Sequence, residues 1–557
     1  RIRTLKACGV NAYRSAHHPI APAMLEVCDE LGMLVMTENR WFDTSDETLA
    51  HVRNMVLEAR NHPSVFIYSI ANEEPLQSSL RGTRIARRLY EEARRADDTR
   101  PVTAALNGGL AAGEMIEVFD VVSVNYRYDE YDEVIAAYPD RVFVASESGA
   151  HFTVREDYPV DADERSVRLW REHQFNFSRP WPFAQRQVDS REAFAGIFYW
   201  AGIDYAGEAT WPEVVAALGA IDYAGFPKDY FFFSKALWTD EPVLHLFPHW
   251  NWDGCEGYRV PVTVYANYDR VELFLNDVSL GVKENDPYSP PRWDVAYEPG
   301  VLTAVGTGAG KAEKSVERRT VGPARELHIR AETATVDRNR IVSVVITALD
   351  ENGERAVSAS PEVTVTANGA ARVVGLSSGD PTDHVPDTAA TRPMFGGLLK
   401  AFIRVDPEAT RFTLRAAGAA ALRAETTIEL RPASWPIKRL PAAEQRLQIQ
   451  SWFRSGVSGE RTTSLMHAEE DDFNTYLPVT VSEPEYFSFS EPGYCELRCV
   501  TEPILYDVER STAYIVFRSV AGSAEFYRSI AYLGGESTPF ERVAEKPAVD
   551  PAEVHME

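Results

Sequence analysis

Cysteine is scarce in this chain: five residues in 557, at positions 8, 28, 255, 495 and 499. The count is odd and the spacing fits no zinc pattern, so neither a disulfide framework nor a structural zinc is expected. Cys495 and Cys499 would lie about 13 Å apart on one strand, at ~3.3 Å per residue, too far to bridge. Scarce thiols without a framework suit a reducing compartment, and a cytoplasmic location is the expectation. Basic residues are also in deficit, 57 against 83 acidic, for a net charge of -26. Nucleic-acid binding leans on clustered Lys and Arg, so no nucleic-acid partner is expected. Apolar runs long enough to span a bilayer are missing, so no membrane role is expected. The first residue is Arg1 rather than Met, and the opening RIRTLKACGVNAYRS reads as the end of a helix running into a strand. The expectation is that earlier residues are missing.

What is present has two textures. Up to about Thr239, strand and helix signals alternate. Strands are expected at Asn11–Ala16, Met33–Glu38, Val65–Ala71, Pro101–Leu106, Asp120–Asn125, Arg141–Ser146 and Gly196–Trp200. Helices are expected at Ala23–Leu31, Asp46–Asn61, Leu80–Ala96 and Tyr230–Leu237. This alternation predicts a parallel sheet. Seven strands are legible, so a (β/α)8-type barrel would need one more before Arg1. An open doubly wound sheet competes, but no G-x-G-x-x-G follows the first strand.

Beyond Thr239 helical periodicity stops. Short alternating strands such as VPVTVYA, RVELFLN and EVTVTAN follow, punctuated by Asn276–Asp277, Asn352–Gly353 and Asn368–Gly369. These are turn pairs between sandwich strands. The expected domains are a barrel, incomplete at its start, over residues 1–240, a β-sandwich over 241–321, an immunoglobulin-like sandwich over 322–431, and a β-rich module over 432–557.

Two strands end in carboxylates: VFIYSIANEEP delivers Glu73 and RVFVASESGA delivers Glu147. Barrel active sites lie at the C-terminal ends of the strands, and a pair of carboxylates there is the minimum for cleaving a glycosidic bond. Each carboxylate alone could be a solvated strand end.

NAYRSAHHP, SIANEE, VASESG and YWAGIDYAGE, in that order, resemble the signatures of glycoside hydrolase family 2. HLFPHWNWDGCEGY, RVELFLNDVSLG and GLSSGDPTDHVPD resemble its β-galactosidase-like branch, so the likeness spans roughly Arg1–Arg431. It implies a retaining β-glycosidase, with a β-galactoside as the leading substrate and a glucuronide, a mannoside or catalytically silent carbohydrate binding as alternatives. Glu73 is implied as general acid/base and Glu147 as nucleophile, through a glycosyl-enzyme intermediate. Asn72 is implied at the sugar 2-hydroxyl, and His17 at a sugar hydroxyl. Arg14 and Tyr126 are the expected donors to Glu147, and Trp200 the platform under the sugar.

Asp204 and Glu208 are weighed as sugar contacts or helix caps. His245 and His249 are read as packing or surface residues rather than metal ligands, and the arginines of Leu80–Ala96 as a solvated face. Metal-dependent family members carry Glu and His after the third barrel strand. ENRWFDTS lacks that pair, so no metal and no cofactor are expected. GAIDYAGFPKD does not supply an Asn-x-Lys pair for a uronate. A carbohydrate is the expected partner, and a homo-oligomer is compatible with this reading.

Overall fold

The computed structural model describes residues 1–432 except 111–114, 171–176, 333–334, 337–340, 407–408 and 420–421, together with five short strands between Ser451 and Lys546. It divides into two units, Arg1–Ser434 and Trp435–Glu557.

The first unit opens with seven parallel strands in sequential order. They are β1 (Ala12–Arg14), β2 (Leu34–Glu38), β3 (Val65–Asn72), β4 (Val102–Leu106), β5 (Val122–Asn125), β6 (Phe143–Gly149) and β7 (Phe194–Trp200). β4, β5 and β6 are buried along their whole length. A parallel sheet covered on both faces has that pattern. The sheet curls into a barrel. Arg14, ending β1, bonds Asn72 on β3 and Glu147 on β6, and His17 just past β1 stacks on Trp200 at the end of β7.

Helices pack outside. α1 (Ile2–Ala7) precedes β1, and α2 (Pro22–Leu31) starts with proline in its first turn and stops at Gly32, whose φ of 65° closes the left-handed cap. α3 (Asp46–Ala59) and α4 (Leu80–Ala96) are capped by Ser45 and Ser79, whose hydroxyls accept from Thr48 N and Gly82 N. α4 buries Gly82, Thr83, Ala86, Leu89 and Ala93 and turns most of its arginines outward. Its one buried acid, Glu92, takes Arg53 of α3 at 2.6 Å. α5 (Tyr131–Ala137), α6 (Trp181–Asp189) and α7 (Asp229–Trp238) complete the shell.

Two all-β layers follow within the same unit. Strands Leu244–Phe247, Arg259–Ala266 and Arg292–Ala296 form a sheet that takes in two short strands from the barrel loop after β6, at 160–161 and 166–167. A second sheet is built from 270–275, 278–284, 301–307 and 314–319. Their core is continuous with the barrel's, through residues such as Tyr230, Tyr265 and Leu302. The next sandwich has sheets of 326–331, 341–349, 398–405 and 371–377, and of 391–393, 362–368, 411–417 and 423–429, around a separate core. The anticipated turns are in place: Asn276 and Asp277 both take positive φ, 49° and 65°, and Gly353 and Gly369 lie near 80°.

In the second unit, strands 451–454, 477–480 and 497–498 pair, as do 524–528 and 541–546. YFSFS, AYIVFRSV and most of CELRCV, with Cys495 and Cys499, lie outside the described residues.

Candidate active site

The C-terminal mouth of the barrel gathers one polar network. β3 ends at Asn72, and the next residue, Glu73, turns into left-handed backbone with φ 50° while its N–H donates to the Ala105 carbonyl at 2.9 Å. β5 ends at Asn125, and Tyr126 makes the same kind of turn with φ 59°, its N–H donating to the Glu147 carbonyl at 2.8 Å. Left-handed backbone costs a non-glycine residue on the order of 1–3 kcal/mol, and such positions cluster at functional sites. Glu147 itself lies inside β6, which runs to Gly149, beyond the Ser146 end expected from sequence.

Arg14 is the hub. Its guanidinium donates to Glu38 through Nε at 2.8 Å and Nη2 at 2.9 Å, to Glu147 Oε1 through Nη1 at 2.7 Å, and to Asn72 Oδ1 through Nη2 at 2.7 Å. Burial opposes its charge, but Glu38 and Glu147 outweigh that and raise its pKa. Tyr126 donates its phenol to Glu147 Oε2 at 3.0 Å. Burial, and then the Glu147 charge, push that phenol's pKa well up, so it stays a donor. Asn125 donates through Nδ2 to Glu73 Oε1 at 2.9 Å and to Asn72 Oδ1 at 3.0 Å, and is fixed by Ser146 Oγ at 2.6 Å. With Oδ1 of Asn72 taken by Arg14 and Asn125, its amide NH₂ is the group left to donate outward.

The two carboxyls have different surroundings. Burial, and then the charge of Glu147, raise the pKa of Glu73 against the donation from Asn125. A carboxyl biased toward its protonated form, beside a carboxylate bound by a guanidinium and a phenol, has the makings of an acid and a nucleophile. Trp200 stacks on His17 with centroids 5.1 Å apart, and its indole N–H donates to Tyr205 Oη at 2.8 Å. His17 Nδ1 sits 2.8 Å from Glu38, leaving Nε2 3.8 Å from Glu147.

Glu38 and Asn125 belong to this network although sequence reasoning did not single them out. Glu38 has no side-chain exposure and accepts from Arg14, Ser69 and His17. Burial opposes its charge, yet these donors hold its carboxyl below the usual range. The signal was available: LVMTEN, like VASES, is a strand closing on a carboxylate. Asn125 needed the tertiary structure, because an amide at a strand end is common in loops.

The residues left between roles resolve as follows. Asp204 accepts from Lys228 Nζ and Gly219 N, both at 2.7 Å, and is buried. Glu208 accepts from Tyr205 Oη. Neither caps a helix. His245 bonds Asp229 at 2.8 Å and stacks on Phe232, and His249 stacks on Trp252. Both are packing residues. Among the described residues no three His, Cys, Asp or Glu side chains are grouped so as to hold a metal ion.

The family description "Glycosyl hydrolases family 2, TIM barrel domain" matches residues 1–142, and "Glycoside hydrolase family 2 C-terminal domain 5" matches 326–427. Two separate segments of this chain thus match glycoside hydrolase family 2 domains. A domain of unknown function, DUF4982, matches residues 257–313 between those two family 2 segments. The chain is 29% identical to the beta-galactosidase BoGH2A of Bacteroides ovatus over 73% of its own length and 55% of that protein's. It is 27% identical to a putative beta-glucuronidase of Formosa agariphila over 73% of its length and 44% of the relative. Among solved structures, a family 2 member from Bacteroides cellulosilyticus superposes with a TM-score of 0.68 at 27% identity, covering 77% of this chain and 59% of that one. The chain thus spans about half to three fifths of the length of these relatives.

Proposed function

We propose that this chain carries the catalytic barrel of a retaining β-glycosidase acting on terminal β-linked sugars, with β-galactosides as the leading substrate. The observation that carries the reading is the unlike surroundings of the two carboxyls at one barrel mouth. Glu73 is pushed toward its protonated form, while Glu147 is bound by Arg14 and Tyr126. In this mechanism Glu73 protonates the leaving oxygen as Glu147 attacks the anomeric carbon. Glu73 then deprotonates the water that releases the sugar from Glu147. Asn72 donates to the 2-hydroxyl, His17 reaches a further hydroxyl, and Trp200 lies under the apolar face of the ring.

A neutral sugar is favoured over a uronate. Arg14 is already shared between Glu38 and Glu147, and Lys228, the candidate uronate partner in GFPKD, is buried against Asp204 and the Thr153 carbonyl. Beta-galactosidase BoGH2A is in line with this choice. The proposed domain limits lie at 240, 321 and 431. The free thiols Cys8, Cys28 and Cys255 support a reducing, cytoplasmic setting. Among the described residues no helix is long and apolar enough to cross a membrane.

The test uses the full-length parent protein. A 2-deoxy-2-fluoro-β-galactoside with an activated leaving group should inactivate it and leave a sugar-sized mass increment on Glu147. NMR of aryl β-galactoside hydrolysis should show the β-anomer first. A label on another residue, or the α-anomer first, overturns the reading.

A further inference from the structure

Among the described residues two tryptophans are exposed, Trp41 and Trp211, and both stand in loops at the C-terminal end of the barrel. Trp41 follows β2, its carbonyl held by Asn39 Nδ2 at 2.6 Å. Trp211 is in the loop that leaves β7 and is 81% exposed. A single exposed apolar side chain is ordinary and needs no explanation. Trp211 differs in being held from behind by another module. His384, on a loop of the 322–431 sandwich, packs its ring 4.8 Å from the indole at 50°. Nε2 of the same His384 lies 2.8 Å from the carbonyl of Pro212. Val214 N donates to the Pro381 carbonyl at 2.7 Å. The sandwich loop is itself anchored to the barrel, since Arg155 bridges Asp222 at 2.7 Å and the Ser378 carbonyl at 2.8 Å.

The loop also leads back to the carboxylates. Trp200 stacks on His17 and bonds Tyr205, and Tyr205 bonds Glu208. Trp211 lies three residues further, within about 10 Å of Glu208 by chain length. The backbone beside Trp211 is pinned while its indole stays open to solvent, so the ring is available to stack on the C–H face of a pyranose.

We propose that Trp211, backed by His384, is a stacking platform for a neutral pyranose on the leaving-group side of the scissile bond. This rests on the glycosidase reading: an enzyme that removes a terminal sugar meets any further ring only in the leaving group. The 322–431 sandwich is then part of the substrate site, and the preferred substrate is an oligosaccharide rather than a small glycoside.

The experiment compares the full-length parent with Trp211→Ala, Trp211→Phe and His384→Ala. The substrates are β-galactosyl fluoride, whose leaving group is one atom, and a trisaccharide ending in a β-galactoside. Loss of the platform should lower kcat/KM for the trisaccharide about tenfold in Trp211→Ala and leave the fluoride within about twofold. Trp211→Phe should recover most of the loss, and His384→Ala should show a smaller loss on the trisaccharide alone. Equal rates for parent and Trp211→Ala on the trisaccharide overturn the platform. So does a parallel fall on both substrates with a lowered melting temperature, which assigns Trp211 to packing. A parent that cleaves neither substrate is a different result: it removes the glycosidase reading, and the platform with it.

Discussion

Asn125 and Tyr126 are neighbours in the chain, and each holds a different carboxylate: Asn125 donates to Glu73 and Tyr126 to Glu147. Tyr126 takes positive φ as the chain leaves β5. One dipeptide at the end of β5 therefore sets the relation between the proposed acid and the proposed nucleophile.

The first prediction concerns their coupling. The Glu147 charge is one cause of the raised Glu73 pKa. Glu147→Gln removes that charge, so the Glu73 pKa should fall toward the ordinary value, readable by carboxyl ¹³C NMR titration. Hydrolysis should fall by about 10⁴-fold or more, the scale of losing a nucleophile from a catalytic unit. An unmoved Glu73 titration would show that burial alone sets it.

Asn125→Ala should act in the opposite sense. Its donation lowers the Glu73 pKa, so its loss should raise that pKa further. Activity needs protonated Glu73 and is lost as pH rises through that value. The alkaline limb of kcat/KM should therefore move to higher pH. Tyr126→Phe should instead leave that limb in place and lower kcat, by about 10–100-fold for a buried oxygen that loses its donor at about 1–3 kcal/mol. A pH–rate profile of each variant separates the two.

Glu38→Gln tests the hub. Removing one charge of a buried pair costs about 3–5 kcal/mol, because the partner is left uncompensated. Arg14 would keep Glu147 as its charged hydrogen-bond partner beside neutral acceptors such as Asn72, so both stability and kcat should fall. The folded pKa of Glu38 lies below its ordinary value, so its contribution is complete above that value, ~4.3, and disappears as pH falls through the depressed one. The stability deficit of the variant, measured by urea unfolding, should shrink in acid. A deficit that stays constant down to pH 3 would disprove the linkage.

Lys228→Met strands Asp204 in the interior. Stability should drop by about 3–5 kcal/mol, while the ratio of galactoside to glucuronide hydrolysis stays put. A selective loss of glucuronide hydrolysis would instead make Lys228 a uronate contact.

Much of the barrel was legible because parallel strands buried on both faces read as β-branched and aromatic runs, and because α3 and α4 begin at serine caps. The start of α4 at Leu80, after Ser79, is one case. Ends were less legible. β6 runs on through Ser146, Glu147 and Ser148 to Gly149, where polar residues look like a loop until partners from β5 and β7 cover them. Asp204 stayed open between sugar contact and helix cap for the same reason: sequence shows a carboxylate after a strand, not the Lys228 that pairs with it.

By itself the sequence pointed to two carboxylates near the C-terminal ends of strands, to Arg14 and Tyr126 as donors to Glu147, and to a change of texture at about Thr239. Those follow from local pattern and from motif order. Only the tertiary structure decided which groups share one buried space: Glu38 behind Arg14, Asn125 on Glu73, Lys228 turned inward, His384 behind Trp211. Each pairing joins residues far apart in the chain, and a buried charge or amide is defined by the partner that closure of the fold brings to it.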